Sequence, residues 1–274
     1  MCAPRIVQLA RDGADPAPRP TRRTLLGAAG LAALAVAVTA PSATARGGSV
    51  VDLTHPLGSN TPVWPGNPPL ATMPVAWHEL GVPDHNAIAL WEHTGTHVDA
   101  PLHRAQRTSA VDALSATELV APLIVIDISA KAAVDVDATV TVDDIDAFEQ
   151  IYGRIPERAF VAMYSGWECR LAVPAAFVNL DAYGTSHAPG FSADAAEYLV
   201  AQRDIVGAGV DTLSLDPAAD HEYGAHIAFL GAGRYGVEML NNLGAVPPTG
   251  ATVVVGASKY VGGTGGPCRV LALV

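Results

Sequence analysis

Three histidines and one aspartate fall within a single short stretch, and their side chains are of the types that bind divalent metal ions. The stretch begins at His93, passes through His97 and Asp99 and ends at His103, reading His-Thr-Gly-Thr-His-Val-Asp-Ala-Pro-Leu-His. Imidazole and carboxylate groups suit zinc or manganese, and no cysteine lies nearby to favour a thiolate site. Pro101 fixes the backbone ahead of His103, which sets that ring apart. The spacing therefore predicts a metal site formed by His93, His97 and Asp99. The alternative is a polar loop whose histidines bond to backbone.

The same stretch resembles the signature of the cyclase-like metal hydrolases, a family that includes bacterial kynurenine formamidases and isatin hydrolases. The family pattern is His-x-Gly-Thr-His-x-Asp-Ala-Pro-x-His, and its eight fixed positions are all matched. The chain departs from many members directly after the signature, where Arg104 takes the place of an aromatic residue. The resemblance runs from about residue 50 to the C-terminus. It implies a compact mixed β/α domain of the swivelling type, assembled as a homodimer or homotetramer.

The resemblance also implies metal ligands far along the chain. In the family's formamidases a histidine and a glutamate twelve residues later complete the site, and His226 and Glu238 have this spacing. By this carry-over His93, His97 and Asp99 hold one ion. Asp99, His226 and Glu238 hold a second, with Asp99 and Glu238 bridging. The ligand types favour zinc, as one or two ions, with manganese as the competitor.

Roles toward the substrate are predicted for His103 and Trp64, and the role of Arg104 is left open. A divalent cation lowers the pKa of a bound water to near neutrality, which supplies a hydroxide nucleophile, and it polarises a carbonyl. Amide cleavage also needs a proton for the departing nitrogen, and His103 is the predicted acid/base, unless it is a further metal ligand. Trp64, in the stretch Thr-Pro-Val-Trp-Pro-Gly, resembles the formamidases' pocket tryptophan and would stack on an aryl ring; without the family it would be a packing anchor. Arg104 either binds a substrate carboxylate bidentately or points to solvent.

These features predict a metal-dependent hydrolase that cleaves the amide bond of an N-formyl or N-acyl arylamine. Two related alternatives are an exported ring-opening hydrolase of cyclic amides or lactones and a cyclase of secondary metabolism. An alternative from another class is a secreted metal-binding protein without catalysis. The presence of both His103 and Trp64 argues against this last reading, because such a protein needs neither. The expected partner is a small aromatic or cyclic amide.

The first 45 residues are predicted to be an export signal that is removed. Thr21-Arg22-Arg23-Thr24-Leu25-Leu26 has the form of a twin-arginine signal and is followed by a small-residue site at residues 43–45. The apolar run at residues 25–40 is sixteen residues long. A membrane-spanning helix needs about 20. An uncleaved membrane anchor is the alternative. Residues 46–274 are thus predicted to form one metal-hydrolase domain that is secreted or periplasmic.

The remaining chain is strongly acidic. The first 45 residues hold five of the 16 basic and two of the 27 acidic residues, which leaves 11 and 25, a formal charge of −14. Such a surface repels nucleic acid and anionic lipid, so neither is an expected partner. Only Cys169 and Cys268 remain after the signal, and whether they pair is left open.

The patterns of apolar residues predict an α/β domain with many short strands. Strands are expected at residues 50–53, 86–91, 122–128, 160–164, 210–216, 252–255 and 270–274. Helices are expected after a Thr141 cap to about residue 152, at 193–203 after a Ser192 cap, and at 225–230. Trp91 is expected in the core, and His187 and His221 in loops. The glycine-rich segment at residues 262–269 lacks the Lys-Ser/Thr ending of a phosphate-binding loop.

Overall fold

The computed structural model describes residues 48–274, so the predicted export signal lies outside the described residues. Within this range the chain alternates strands with helices, as predicted. The twelve strands are β1 (Val50–Asp52), β2 (Ala71–Ala76), β3 (His85–Ala89), β4 (His97–Asp99), β5 (Val120–Asp127), β6 (Thr139–Val140), β7 (Phe160–Tyr164), β8 (Gly190–Phe191), β9 (Gly207–Val210), β10 (Tyr235–Glu238), β11 (Ala251–Ala257) and β12 (Gly265–Leu273). The five α-helices are α1 (Ser129–Ala132), α2 (Val142–Tyr152), α3 (Pro174–Val178), α4 (Ala193–Arg203) and α5 (Gly224–Gly231).

Eight strands form one sheet that closes on itself. The strand order is β1-β12-β11-β5-β7-β9-β10-β4, and β4 pairs with β12 as well. Seven strands therefore form a barrel, and β1 extends along β12 outside the ring. Strands β5, β7, β9 and β10 run parallel, whereas β4, β11 and β12 pair antiparallel to their neighbours. Because the ring is closed, both edges of the three-residue strand β4 are paired.

Side chains that alternate along the central strands fill two separate cores. Leu123 and Val125 of β5 join a cluster to which strands from around the whole ring contribute, so this cluster fills the barrel. Ile124 and Ile126 join a second cluster, with the apolar side chains of α2, α4 and α5. The continuous apolar run of β5 is thus buried on both faces, as its sequence predicts.

Helices α2 and α4 begin at the predicted caps. The Thr141 hydroxyl accepts the Asp144 N–H at 3.3 Å, and the Asp144 carboxylate accepts the Thr141 N–H at 2.7 Å, which is a capping box. The Ser192 hydroxyl accepts the Ala195 N–H at 3.2 Å. Because local hydrogen bonds fix these ends, the sequence alone was sufficient to predict them.

The prediction of a strand over residues 210–216 was wrong. Strand β9 ends at Val210, and the chain continues as a buried loop. The carboxylate of Asp211 accepts the N–H groups of Ser165 and Trp167, at 3.1 and 2.9 Å, and thereby ties the loop to the end of β7. Burial raises the pKa of Asp211 to about 6, although these hydrogen bonds oppose the shift. The alternating sequence pattern therefore reflects loop side chains that are buried without forming a strand.

His187 lies in a loop, as predicted. His187 lies between Asp137 and Asp181, with its Nδ1 2.7 Å from Asp137 Oδ2, and the hydrogen bond to Asp137 raises the pKa of His187.

Both remaining cysteines are free, Cys169 at the surface and Cys268 in the interior. No helix within residues 48–274 is long and apolar enough to cross a bilayer.

Candidate active site

A cavity of ≈ 290 Å³ gathers nearly all of the predicted site residues. Among its lining residues are His93, His97, His103, His226, Glu238 and Trp64. Asp99 is 1% exposed and contacts the rings of three of these histidines. The structure thus brings together two segments that are more than a hundred residues apart in the sequence.

The register between β4 and β10 aligns the ligands from the two segments. His97 and Asp99 are two residues apart on β4, so their side chains share one face of the strand. Glu238 at the end of β10 is the direct cross-strand partner of His97. Side chains at directly paired positions lie close together. Helix α5 adds His226 from its first turns.

Gly95 and Thr96 have structural roles in the segment from His93 to His103, here called the histidine loop. Gly95 takes a left-handed conformation with φ 66°, and a Cβ there would lie 2.6 Å from Leu57. Its carbonyl accepts the Nδ1–H of His97 at 2.7 Å, which leaves Nε2 facing the carboxylates. The Thr96 hydroxyl donates to the Met239 carbonyl at 2.6 Å and so anchors the loop to the end of β10. These residues orient the ligands rather than bind the ion.

Asp216 orients His226 and was not predicted. Its Oδ2 lies 2.5 Å from His226 Nδ1, and its Oδ1 accepts the Ala225 N–H at 2.6 Å. The carboxylate therefore fixes the ring's tautomer and its position at the start of α5, so that Nε2 points to the other ligands. In the sequence Asp216 is one acid among several in an acid-rich coil, and no local pattern distinguishes it.

Replacing Asp216 with asparagine is expected to lower metal affinity by about 10- to 100-fold, because the ring loses its orienting carboxylate. Competition with a fluorescent chelator measures this affinity. Asp220→Asn is the matched control, since the Asp220 carboxylate accepts a hydrogen bond only from its own loop, from the Glu222 N–H. Equal affinities in the two variants would contradict the orienting role.

His97, Asp99 and Glu238 have the spacing of ligands around a single metal ion, and His226 lies against both carboxylates. His97 Nε2 lies 3.3 Å from Asp99 Oδ1 and 3.3 Å from Glu238 Oε2, and His226 Nε2 lies 3.2 Å from Glu238 Oε1 and 3.5 Å from Asp99 Oδ2. Ligand atoms about 2.0–2.1 Å from a tetrahedral ion are about 3.3–3.4 Å apart. His97 Nε2 and Asp99 Oδ2 are buried and have no hydrogen-bond partner within residues 48–274. This donor set therefore fits a divalent cation.

The charges of this group also fit a cation. Burial alone would lower the pKa of His97, but the carboxylates of Asp99 and Glu238 outweigh it and raise the pKa to about 10. Burial also opposes a charge on His226, yet the hydrogen bond to Asp216 and the nearby carboxylates of Asp99 and Glu238 hold its pKa well above the usual value. Burial raises the pKa of both site carboxyls, and the imidazoles reverse this, so that the pKa of Asp99 lies well below its ordinary value. The two carboxylates carry a charge of −2, which one divalent ion would balance in place of the protons on His97 and His226.

His93 and His103 form a second group with Asp99. His93 Nδ1 is 2.6 Å from Asp99 Oδ1, and His93 Nε2 is 3.0 Å from the Thr264 hydroxyl. The rings of His93 and His103 have centroids 4.0 Å apart. Ligand atoms of His93, Asp99 and His103 lie within 4.8 Å of one another, as do those of His97, Asp99 and Glu238. In the predicted grouping His93 and His97 share an ion with Asp99; both rings contact Asp99 Oδ1, with their centroids 5.2 Å apart, and this grouping stays a prediction.

His103 reaches the cavity from a short 3-10 helix that Pro101 begins. Burial lowers the pKa of its imidazole to about 4; the carboxylate of Asp99 opposes this shift and positive charge on His93 adds to it. The ring is therefore neutral near pH 7.

Aromatic side chains form the outer part of the cavity. Trp64 lines it and also packs against the cluster around Trp167 and Phe177, and its stacking on an aryl ring stays a prediction. Trp91 was expected in the core, but this was wrong, because the side chain is 55% exposed and lines the cavity. It follows the exposed two-stranded arm of β2 and β3, which carries the chain past the core. His221 is exposed and lies outside the cavity lining, as predicted.

A barrel that presents buried imidazoles and carboxylates to an aromatic cavity defines a metal-dependent hydrolase. The family model described as putative cyclase matches residues 51–217, which is more than half of the chain. The chain belongs to this family, and the resemblance inferred from the histidine loop is confirmed.

Relatives and solved structures agree with this assignment. The chain is 36% identical over 242 residues to an isatin hydrolase of Roseibium aggregatum, covering 82% of this chain and 91% of that protein. It is 31% identical over 228 residues to a kynurenine formamidase of Salinibacter ruber, covering 81% and 96%. The structure of isatin hydrolase A from Ralstonia solanacearum superposes with a TM-score of 0.78 at 36% identity, covering 82% and 92%. That of a potential metal-dependent hydrolase with cyclase activity gives 0.63 at 27% identity, covering 82% and 96%.

Proposed function

We propose that the enzyme hydrolyses the amide bond of a small aryl amide, and that an N-formyl or N-acyl arylamine is its substrate. The observation that carries this proposal is the convergence of His97, Asp99, His226 and Glu238 beside an aromatic cavity. The names of the relatives support it, since isatin is a cyclic aryl amide and a kynurenine formamidase cleaves an aryl formamide.

The cavity suits a substrate with one or two rings. Its volume of ≈ 290 Å³ lies near the lower limit of small-molecule pockets. The indole rings of Trp64 and Trp91 supply apolar faces on which an aryl group stacks. The polar lining groups are the histidines and Glu238, so a bound aryl amide would direct its carbonyl toward them.

The ligand residues hold a divalent cation, with zinc favoured and manganese as the competitor. His97, Asp99 and Glu238 form one candidate ligand group and His93, Asp99 and His103 another, and the presence of Asp99 in both allows one ion or two. When bound, the cation lowers the pKa of a coordinated water and polarises the amide carbonyl.

His103 moves the proton that hydrolysis requires. Its neutral imidazole accepts a proton as water adds to the carbonyl carbon. The same ring then donates that proton to the aryl nitrogen as the C–N bond breaks, so a formamide gives formate and an arylamine. The ring lies beside His93 and within 5.8 Å of the His226 ring, centroid to centroid, which places it at the ligand cluster.

Ring opening of a cyclic aryl amide is the second candidate, because the isatin hydrolase relative has the higher identity, 36% against 31%. The same groups would act, but the departing nitrogen would stay attached to the product.

Assays of the purified, metal-loaded protein with N-formylkynurenine, formanilide, isatin and a simple lactone separate these candidates. We expect turnover of the two formamides, and removal of the metal by a chelator to abolish it. Turnover of isatin alone would favour ring opening. Stoichiometric metal with no turnover of any amide would contradict the proposal and favour a non-catalytic metal-binding protein.

A further inference from the structure

Arg104 lies at the outer wall of the cavity, next in sequence to His103. Its guanidinium carbon is 3.7 Å from the centroid of the Tyr223 ring, and both side chains line the cavity. Tyr223 precedes α5 in a left-handed conformation with φ 57°, three residues before His226, and the rings of Tyr223 and His226 are 6.2 Å apart. The backbone thus holds the Tyr223 ring, and with it Arg104, at a fixed position relative to the ligand cluster.

Arg104 is not required as a structural ion-pair partner. Arg203, Arg234 and Arg269 each contact a carboxylate oxygen at 2.6 Å. Within residues 48–274, Arg104 has neither an ion pair nor a side-chain hydrogen bond. Stacking occupies only the flat face of a guanidinium, so the N–H donors along its edge remain available to a ligand.

The charges around the cavity indicate which kind of ligand the N–H donors of Arg104 would bind. Arg104 is the only arginine or lysine among the described residues that line the cavity. The protein after residue 45 carries a formal charge of −14, and Glu238 and Asp99 lie at the base of the site. The negative charge of the protein opposes the approach of an anionic substrate, and a cation fixed near the entrance would offset this repulsion. A planar guanidinium binds a carboxylate through two parallel hydrogen bonds.

We propose that Arg104, held flat on Tyr223, binds a carboxylate on the substrate and so selects aryl amides that carry a carboxyl group. This inference rests on the proposed amide hydrolysis and names the substrate class within it. Arg104 determines specificity and takes no part in bond cleavage, which the ligand cluster and His103 perform.

The test compares substrates that differ only in a carboxyl group. Formanilide is the neutral reference, and 2-, 3- and 4-formamidobenzoate place a carboxylate at three positions on the same ring. Arg104→Gln is expected to lower the ratio of kcat/KM for the best formamidobenzoate to that for formanilide by about 10- to 100-fold. Arg104→Lys keeps the charge but loses the paired donors, so its ratio should lie between those of Arg104→Gln and the unaltered protein.

Arg170→Gln is the matched control, because the Arg170 guanidinium stacks on Trp167 at 3.6 Å and does not line the cavity. Its ratio should match that of the unaltered protein. A ratio within about threefold of the unaltered value for all three isomers in Arg104→Gln would overturn the inference.

Binding of benzoate provides a readout that does not depend on turnover. Trp64 and Trp91 line the cavity, so their fluorescence reports its occupation. Benzoate should bind at least tenfold more weakly to Arg104→Gln than to Arg170→Gln, and equal affinities would overturn the inference. If the unaltered protein hydrolyses no amide, the proposed function fails, and the benzoate comparison alone decides the role of Arg104.

Discussion

Asp99→Asn is expected to lower metal affinity by about 100-fold or more and kcat/KM by about a thousandfold or more, the largest loss of any single change. The Asp99 carboxylate is almost fully buried between the rings of His93, His97 and His226, and it belongs to both candidate ligand groups. An amide in its place removes a negative charge and presents N–H donors toward the centre of the group. The protein should then be unable to hold the cation that activates water.

Elemental analysis after dialysis and steady-state kinetics measure the two losses together. Asp211→Asn is a suitable control, because Asp211 is an equally buried aspartate that bonds to Ser165 and Trp167 and belongs to neither ligand group. It should keep its metal even if it unfolds at a lower temperature. Asp99→Asn protein that retains stoichiometric metal after dialysis would show that the cation binds elsewhere.

His103→Gln is expected to lower kcat by about 10²- to 10⁴-fold while metal content stays unchanged. Glutamine still offers hydrogen bonds but cannot take up and return a proton. The loss should be smaller for 4-nitroformanilide than for formanilide, because an electron-poor nitrogen departs with less need of a proton. A purely structural defect would lower both rates equally.

The metal content of His103→Gln decides between the two roles predicted for this histidine. The position of His103 beside His93 and Asp99 is also compatible with metal ligation. If metal is lost in proportion to activity, His103 is a ligand, and another group must supply the proton.

The sequence was sufficient to predict which side chains converge at the candidate site, because short spacing and resemblance both identify them. The histidine loop contains its ligands within eleven residues, and it indicates a metal site without any knowledge of the fold. His226 and Glu238 were predicted from the family's spacing alone. Nothing in their surroundings indicated that the β4–β10 register would place Glu238 opposite His97.

Residues that act through tertiary contacts could not be predicted. Asp216 orients His226 across ten residues of irregular chain. Gly265 leaves room for the imidazole of His93, since a Cβ there would lie 2.7 Å from that ring. Trp91 reaches the cavity because an exposed arm of two strands precedes it. Each of these roles depends on which segments become neighbours, and a single sequence does not display that.

The same dependence on tertiary contacts explains why helix ends were predicted and the short strands β4 and β10 were not. Helix α4 has the predicted ends because Ser192 caps it locally. Strands β4 and β10 have three and four residues, too few for a recognisable period of two. The pairings of the barrel define them, whereas their own side chains do not.

The position of β4 in the ring has a consequence for assembly. Three residue pairs join β4 to β10 and three join it to β12, so the ring closes at β4 through a short seam between segments that are distant along the polypeptide. The cation would cross-link the two sides of that seam, since its ligands come from both β4 and β10. Metal uptake would then be coupled to completion of the fold, and the chain would lose stability on chelation as well as activity.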